Sequence, residues 1–147
     1  MPAKVLHLIT RLDLGGAQQN TLHTVRHLNR ASFEPVLVCG RGGQLDGEVF
    51  SDPTLRTVFV DSLLRDISPL HDLLAVLELT RILLAEKPEI LHTHSSKAGI
   101  LGRLAALFAG VPIVIHTYHG FGFHDRQPSA IKALYVFLER VCARITN

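Results

Sequence analysis

The stretch from Ile90 to Thr117, ILHTHSSKAGILGRLAALFAGVPIVIHT, decides the fold. Its two short segments rich in Ile, Val, Leu and Thr, Ile90–His94 and Ile113–Thr117, predict buried strands, and the residues between them at Lys97–Ala109 predict a helix. Gly110 follows that helix directly, at the position where a left-handed residue often ends one. A strand, a helix and a second strand in this order predict a βαβ unit, whose two strands lie parallel in one sheet.

The same alternation continues along the rest of the chain. Strand-like runs that are almost wholly apolar, without a polar residue at every second position, are typical of strands buried on both faces of a parallel sheet. Because connections between parallel strands are right-handed, the sequence predicts an α/β fold with a doubly wound, Rossmann-like parallel sheet. The further predicted strands are Val5–Thr10, Pro35–Cys39 and Thr57–Val60, and the further helices are Ala17–Asn29, Leu70–Glu86 after Ser68 and Pro69, and Ser129–Arg144.

Length and composition limit the class of protein. The chain has 147 residues, of which 47% are hydrophobic, and a formal net charge of +2, which predicts one folded domain at residues 1–147. No long run of Lys or Arg is present, so we expect no nucleic-acid partner. Two distant cysteines, Cys39 and Cys142, indicate a reducing compartment, and the lack of a signal-peptide pattern or long apolar span predicts a cytoplasmic protein. Since the chain stops at Asn147 after a helix, where the alternation calls for a strand, we expect a fragment.

A pair of glycines, Gly15 and Gly16, lies between the first predicted strand and the first predicted helix. Glycine lets a ligand approach the backbone closely, and the free N–H groups at a helix start attract anions. The pair therefore indicates a phosphate or diphosphate site, with a simple tight turn as the alternative. Neither GxGxxG nor GxxxxGK[ST] is present, which removes the main support for NAD binding and for a P-loop.

Nine histidines are present, and five of them fall between residues 92 and 124. His92 and His94 are two residues apart on one predicted strand and share a face of the sheet. Such spacing can bind zinc, but the stretch has no cysteine and one nearby carboxylate, so we predict no metal site and no cofactor. We expect His92 to be a hydrogen-bonded core residue and His124 a surface residue. His119, at the carboxyl end of a predicted strand, is the candidate for contact with a hydroxyl or phosphate.

Polar residues open the helix that follows His94. Ser95, Ser96 and Lys97 offer hydroxyls, an ammonium group and exposed N–H groups, which suit an anion or a polyol. The alternative is an N-cap serine beside a solvated lysine.

The last predicted helix is amphipathic. A basic stripe of Lys132, Arg140 and Arg144 favours a solvated face, with contact to anionic lipid head groups as the alternative. Apolar residues at spacings of three and four predict a core face formed by Ile131, Leu134, Leu138, Val141 and Ile145.

Four strings stand in order along the chain: LGGAQ at 14–18, HTHSSKAGILGR at 92–103, GVP at 110–112 and TYHGF at 117–121. Together they resemble glycosyltransferase family 4. The resemblance is to the bacterial members that build capsular and other surface polysaccharides, and it covers essentially the whole chain.

The resemblance implies a GT-B architecture, in which two Rossmann-like domains enclose the active site. This chain would be the N-terminal, acceptor-side domain, without the donor-binding C-terminal domain. The implied reaction transfers a sugar from a nucleotide-diphosphate sugar to a glycan or lipid-linked acceptor in cell-surface polysaccharide biosynthesis, with retention of configuration and without a metal. The implied location is cytoplasmic or peripheral at the inner membrane face.

The resemblance also assigns roles to residues. Gly15, Gly16 and Ala17 would face the donor diphosphate, where N–H groups stabilise the charge that develops on the leaving group. His119 would be the catalytic residue beside the reacting sugar. The isolated chain is expected to bind donor weakly and to transfer no sugar. The expected acceptor- or sugar-binding residues are His94, Ser95, Ser96, Lys97, Gly120 and Phe121.

Three other functions remain alternatives. A non-hydrolysing nucleotide-sugar epimerase would share the architecture and place its histidines and diphosphate similarly. A non-catalytic Rossmann-like binding or regulatory domain would show the same sheet. A histidine-rich metal hydrolase would require bound metal.

Overall fold

The computed structural model describes residues 1–120 and 128–147, in which five parallel strands form one sheet in the order β3-β2-β1-β4-β5. This order confirms the predicted doubly wound α/β fold. The elements along the chain are β1 Ala3–Arg11, α1 Gly16–His27, β2 Phe33–Gly40, α2 Asp46–Phe50, β3 Thr57–Phe59, α3 Pro69–Glu86, β4 Ile90–His94, α4 Ser96–Ala109, β5 Ile113–Thr117 and α5 Ser129–Ala143.

Every strand and helix expected from the sequence is confirmed, with bounds that differ by at most two residues. The short helix α2 was not predicted. It begins after a glycine pair, where the Asp46 carboxylate accepts hydrogen bonds from the N–H groups of Gly42 and Gly43 at 2.8 and 3.1 Å. Gly42 has a φ of 89°, a conformation that glycine adopts without strain.

The two faces of the sheet carry separate apolar cores. One face packs Leu6 and Leu8 of β1 against the buried side chains of α3 and α4. The opposite face packs Ile9 of β1 and Leu37 of β2 against α1 and α2. Since α1 follows β1 and α4 follows β4, the chain leaves these two neighbouring strands toward opposite faces of the sheet.

Two glycines bring α4 unusually close to the sheet. A Cβ atom added to Gly102 would lie 2.4 Å from Leu8 Cδ2 and 2.8 Å from Thr93 Cγ2. A Cβ atom on Gly99 would lie 2.4 Å from Cε1 of His116. The absence of side chains at these positions therefore sets the distance between α4 and the strands beneath it.

The apolar face of α5 is not the core face that periodicity predicted. Ile131 is 40% exposed, Leu134 is 55% exposed and Val141 is 39% exposed. An ion pair between Glu139 and the buried Arg103, at 2.6 Å, joins this helix to α4. The prediction was wrong because helical spacing shows that a face is apolar but not what covers it.

Candidate active site

The candidate site lies where β1 and β4 end side by side. In an open parallel sheet, ligands bind outside the carboxyl ends of strands at the point where the chain connections diverge to opposite faces. Here that point lies between Arg11, which ends β1, and His94, which ends β4. The predicted glycine loop follows β1, and the predicted Ser95–Lys97 segment follows β4, so the fold brings these two segments to one edge.

The glycine loop leaves the start of α1 open. Gly15 is the N-cap residue with an extended backbone, and within the described residues no side chain caps this helix. A Cβ atom on Gly16 would meet no atom within 4 Å, so a ligand can approach the backbone there. The first turn of α1 has no acidic residue, which leaves the positive end of the helix dipole unneutralised. This geometry suits an anion at Gly15, Gly16 and Ala17, and their contact with a diphosphate stays a prediction.

The turn between β4 and α4 is strained. Ser95 has a φ of 67° and a ψ of 154°, a conformation that residues other than glycine rarely adopt. Its hydroxyl lies 2.9 Å from the hydroxyl of Thr10 on β1. Thr10 also accepts a hydrogen bond from the N–H of Ala98 at 3.1 Å, so a side chain from one strand caps the helix that follows its neighbour.

Lys97 points its charge away from the strand ends. Its ammonium group pairs with the Asp72 carboxylate at 2.6 Å and contacts the backbone carbonyl of Asp66. This pairing ties α4 to α3. The predicted acceptor contacts of Ser96 and Lys97 stay predictions.

A pocket of about 240 Å³ lies between the two turns. Within it, Arg11 pairs with Asp13 at 2.9 Å, and Arg65 lies 3.7 Å from the same carboxylate. Two guanidinium groups beside one carboxylate leave an excess of positive charge, which suits an anionic ligand. The pocket is lined by Thr10, Arg11, Asp13, Gln18, Arg65, Ser95, Ser96, Lys97 and Tyr135.

Four histidines form a continuous group on the face of the sheet that carries α1. His7 of β1 is the register partner of His92 of β4, and His94 follows two residues later on the same face. Nδ1 of His7 lies 3.2 Å from Nε2 of His94, and Nδ1 of His94 lies 3.1 Å from Nε2 of His119. The imidazoles therefore connect the buried strand β1 to the loop after β5.

Burial holds the inner histidines neutral. Desolvation, with a smaller contribution from His92, lowers the pKa of His7 to about 3. Desolvation and neighbouring histidines lower the pKa of His94 to about 2. Both side chains are 1% exposed, so water cannot solvate a charged imidazole there.

His7, His92 and His94 each offer a nitrogen within 4.8 Å of the others, a spacing that a metal ion could use. However, both nitrogens of His94 already face other imidazoles at hydrogen-bond distance. Nε2 of His92 lies 2.7 Å from the hydroxyl of Thr117. A metal ion at this place would have to displace hydrogen bonds, so the nitrogen atoms are better explained as a hydrogen-bonded network.

The remaining predicted histidines have separate positions. His92 is half-buried and bonded to Thr117, as expected for a hydrogen-bonded core residue. His116 lies on the opposite face, where its Nδ1 is 2.9 Å from the hydroxyl of Thr93 and its ring contacts Gly99. Burial, above all, lowers the pKa of His116 to about 4. His124 and the predicted sugar-binding residue Phe121 lie outside the described residues.

The loop that carries His119 is anchored on its outer side. The hydroxyl of Tyr118 donates a hydrogen bond to Glu139 Oε2 at 2.7 Å, and the same oxygen pairs with the buried Arg103. Gly120 follows with a φ of 143°, which favours glycine at this position. His119 therefore sits between an ion-pair anchor on one side and the histidine group on the other.

Comparison with known proteins identifies the family of this chain. A model of the glycosyl transferase 4-like domain matches residues 15–146. The chain belongs to this family. A curated relative in Escherichia coli, the UDP-Gal:alpha-D-GlcNAc-diphosphoundecaprenol alpha-1,3-galactosyltransferase, is 39% identical over 144 residues. That alignment covers 98% of this chain, and the chain spans 37% of the relative's length.

Solved structures share the fold at lower identity. MurG from Acinetobacter baumannii superposes with a TM-score of 0.69 at 16% identity, covering 99% of this chain and 39% of that one. The UDP-GlcNAc 2-epimerase from Methanocaldococcus jannaschii superposes with a TM-score of 0.62 at 13% identity, covering 99% of this chain and 38% of that one. Transferases and epimerases thus share this sheet, and the sequence match is what separates this glycosyl transferase 4-like domain from the epimerase alternative.

The site of this glycosyl transferase 4-like domain includes residues that sequence reasoning did not select. Thr10, Arg11 and Arg65 line the pocket, and His7 stands behind His94. The signal for His7 was available, since a histidine on β1 must face β4 once the two strands are neighbours. Among the residues that the structure describes, no helix is long and apolar enough to cross a membrane.

Proposed function

We propose that this chain is the N-terminal, acceptor-side domain of a two-domain glycosyltransferase that moves a sugar from a nucleotide-diphosphate donor to a lipid-linked acceptor. The observation that carries the proposal is the family match over residues 15–146, together with 39% identity to a galactosyltransferase named for a diphosphoundecaprenol acceptor. The chain spans 37% of that relative, which leaves room for a second domain. Transfer with retention of configuration stays a prediction.

The open start of α1 would bind the donor diphosphate. The N–H groups of Gly16 and Ala17 have no capping side chain in the described structure, and the helix dipole favours negative charge at this end. As the sugar leaves, charge builds up on the diphosphate, and N–H groups already in place stabilise it without reorganisation. Arg11 and Arg65 add positive charge at the neighbouring pocket.

His119 would lie beside the reacting sugar. It is partly buried at the carboxyl end of β5, and its Nε2 faces His94. Its other ring nitrogen is then the atom that can reach a substrate. The buried His94, with both nitrogens occupied by imidazoles, acts on the sugar through His119 instead of touching it.

The exposed apolar face of α5 would meet the lipid part of the acceptor. A pocket of about 360 Å³ separates α5 from α3 and α4, and its lining includes Ile100, Leu134 and Leu138. Phe137 is 61% exposed on the same helix, and Arg140 and Arg144 are exposed beside it. Apolar and cationic side chains together favour a surface that carries lipid chains and anionic head groups.

The test uses the natural protein that contains this chain, assayed with UDP-galactose and GlcNAc-diphosphoundecaprenol in detergent. We expect transfer of the sugar, a loss of about 100-fold or more in kcat for His119→Ala, and a similar loss for Gly16→Val, which blocks the approach to the α1 amides. Gly47→Ala, at an open position in α2, is the matched control and should keep full activity.

A second arm separates the alternatives. Interconversion of UDP-GlcNAc without an acceptor would favour the epimerase. No transfer from any of a panel of nucleotide sugars, with the protein folded, would favour a non-catalytic binding domain. Flotation with anionic vesicles tests the lipid-facing role of α5, and Phe137→Asp should abolish flotation.

A further inference from the structure

The hydrogen bonds that link the imidazoles of His7, His94 and His119 run in one direction, because each needs a donor on one ring and an acceptor on the next. Each contact joins two ring nitrogens, at 3.2 Å and at 3.1 Å. A neutral imidazole carries one N–H and one bare nitrogen, so each contact needs a proton on one side only. His7 and His94 are neutral at pH 7, because burial lowers the pKa of each.

Only two proton arrangements satisfy both contacts when His119 is neutral. In the outward arrangement, Nδ1–H of His7 donates to Nε2 of His94, and Nδ1–H of His94 donates to Nε2 of His119. In the inward arrangement, Nε2–H of His119 donates to Nδ1 of His94, and Nε2–H of His94 donates to Nδ1 of His7. The tautomer of one histidine therefore determines the tautomers of the other two.

The surroundings of the buried His7 side chain decide between the two proton arrangements. Nε2 of His7 has no hydrogen-bond partner among the described residues, and the side chain is 1% exposed. The inward arrangement would put the only proton of His7 on this atom, as a buried N–H without an acceptor. The outward arrangement leaves the atom bare, and orphaned buried N–H groups are the rarer of the two defects in folded proteins.

Because Nε2 of His7 has no partner among the described residues, the three imidazoles cannot relay a proton inward. A proton passed inward from His119 would arrive at Nε2 of His7, which has neither a partner in the described residues nor contact with solvent. The inner histidines can thus orient His119 but cannot carry its proton away.

We infer that His94, buried against His7, is the positioning residue that holds His119 in the tautomer with its proton on Nδ1, so that His119 presents a hydrogen-bond donor and not a base to the sugar site. The part of this inference that concerns sugar rests on the proposed function. The tautomer itself does not, and it can be measured without a substrate.

The primary experiment is NMR on the 147-residue chain with ¹⁵N-labelled histidine at pH 8, above the ordinary histidine pKa of about 6.5. Protonated and bare ring nitrogens resonate far apart, so the spectrum gives the tautomer directly. We expect at least about a tenfold excess of the Nδ1–H form at His119, equivalent to about 1.4 kcal/mol. A coupling across the hydrogen bond between Nδ1 of His94 and Nε2 of His119 should accompany it.

Substitutions at the inner histidines test what sets the tautomer of His119. His94→Leu should reduce the excess at His119 to the value of the exposed His23, whereas His71→Leu, at an exposed position on α3, should leave it unchanged. His7→Phe should keep the Nδ1–H form, because an unpartnered N–H at Nε2 of His94 is still the worse arrangement. If His94→Leu does not fold, the wild-type tautomer and coupling decide alone. A proton on Nε2 of His119, or an even mixture in the wild-type chain, would overturn the inference.

The kcat of the natural protein distinguishes the proposed donor role of His119 from a purely structural role. The amide of Asn reaches the place of Nδ1, and the amide of Gln reaches the place of Nε2. We therefore expect His119→Asn to retain at least about tenfold more kcat than His119→Gln. Equal kcat values would overturn the donor role, while a complete lack of transfer by the wild type would count against the proposed function and leave the NMR result valid.

Discussion

The hydroxyl of Thr10 at the end of β1 lies 2.9 Å from the hydroxyl of Ser95 at the end of β4, and it also accepts the N–H of Ala98. One side chain thus caps α4 and joins the two strand ends that form the candidate site. The positions of the glycine loop and of the Ser95 turn relative to each other depend on this contact.

Replacing Thr10 with Val keeps the shape of the side chain and removes its hydroxyl. We expect the free energy of unfolding to fall by about 1–2 kcal/mol, since the α4 start loses its cap and Ser95 loses its partner. Urea unfolding followed by circular dichroism measures the change. Thr24→Val, which removes a hydroxyl bonded within α1, is the matched control with an expected effect below about 0.5 kcal/mol. Equal losses for both variants would contradict the capping role.

Strain at Ser95 predicts an unusual order of stabilities. Ser95→Gly and Ser95→Ala both lose the contact with Thr10, but glycine adopts a φ of 67° without strain. We expect Ser95→Gly to be more stable than Ser95→Ala by about 1 kcal/mol. At Ser96, the first residue of α4, the order should reverse because alanine favours helices. The same order at both positions would show that Ser95 is not strained.

The sequence predicted the sheet well because strand and helix signals are local. Buried parallel strands appear as short apolar runs, and Gly110 and Pro69 mark helix ends within one or two residues. The short helix α2 was missed because what begins it is a contact of Asp46 with two backbone N–H groups, not an apolar period.

Of the candidate site, only the residues that directly follow strands in the sequence could be predicted. Gly16 and His119 stand next to strand ends and could be selected from the chain order alone. The roles of Thr10 and His7 depend on β1 lying beside β4, a neighbour relationship that arises when the sheet forms. The ion pair of Arg103 likewise depends on how α5 packs on α4, which no local pattern in the sequence describes.

A methyl group at Gly102 should push α4 away from the sheet. The new Cβ atom would lie 2.4 Å from Leu8 Cδ2, so we expect Gly102→Ala to lower the free energy of unfolding by about 1–3 kcal/mol despite the better helix propensity of alanine. Gly47→Ala, where the added atom meets open space, should not destabilise the chain. Thermal unfolding measures both, and a stabilised Gly102→Ala variant would refute the close approach of α4.

Stability should fall in mild acid because of the buried histidines. In the unfolded chain, His7 and His94 take up protons below about pH 6.5, whereas their folded pKa values are about 3 and about 2. The unfolded state therefore binds more protons between these limits, and stability is lost as the pH falls below 6.5. At pH 5 the loss is about 2 kcal/mol for each histidine.

Urea unfolding at pH 7.5 and at pH 5 measures this loss. His7→Gln should reduce the difference between the two pH values by the share of one histidine, and His71→Gln, at an exposed position, should leave it unchanged. If His7→Gln kept the full pH dependence, His7 would not be a buried neutral histidine.

The ion pair between Arg103 and Glu139 should stabilise the chain far more than an exposed pair does. Arg103 is 1% exposed, so Glu139→Gln leaves a buried guanidinium without its carboxylate, and we expect a loss of about 3 kcal/mol. Asp61→Asn breaks the exposed pair with Arg41, whose side chains are 61% and 79% exposed, and should cost less than about 0.5 kcal/mol. Replacing both members of the buried pair, with Arg103→Met and Glu139→Leu, should recover most of the loss, because no unpaired charge remains in the core.

The pKa of Tyr118, the residue before His119, reports on the contact between its hydroxyl and Glu139. Burial first, and then Glu139, raise the pKa of its hydroxyl above the ordinary value, so Glu139→Gln should lower that pKa. Ultraviolet titration in a Tyr135→Phe background, which leaves Tyr118 as the one tyrosine of the sequence, measures the shift, with Asp61→Asn as the control that leaves it in place. A Tyr118 that titrates identically in wild type and Glu139→Gln would mean that Glu139 does not anchor the loop. A lowered pKa together with the 3 kcal/mol loss would show that one carboxylate both neutralises the core arginine and holds the strand end from which His119 reaches the site.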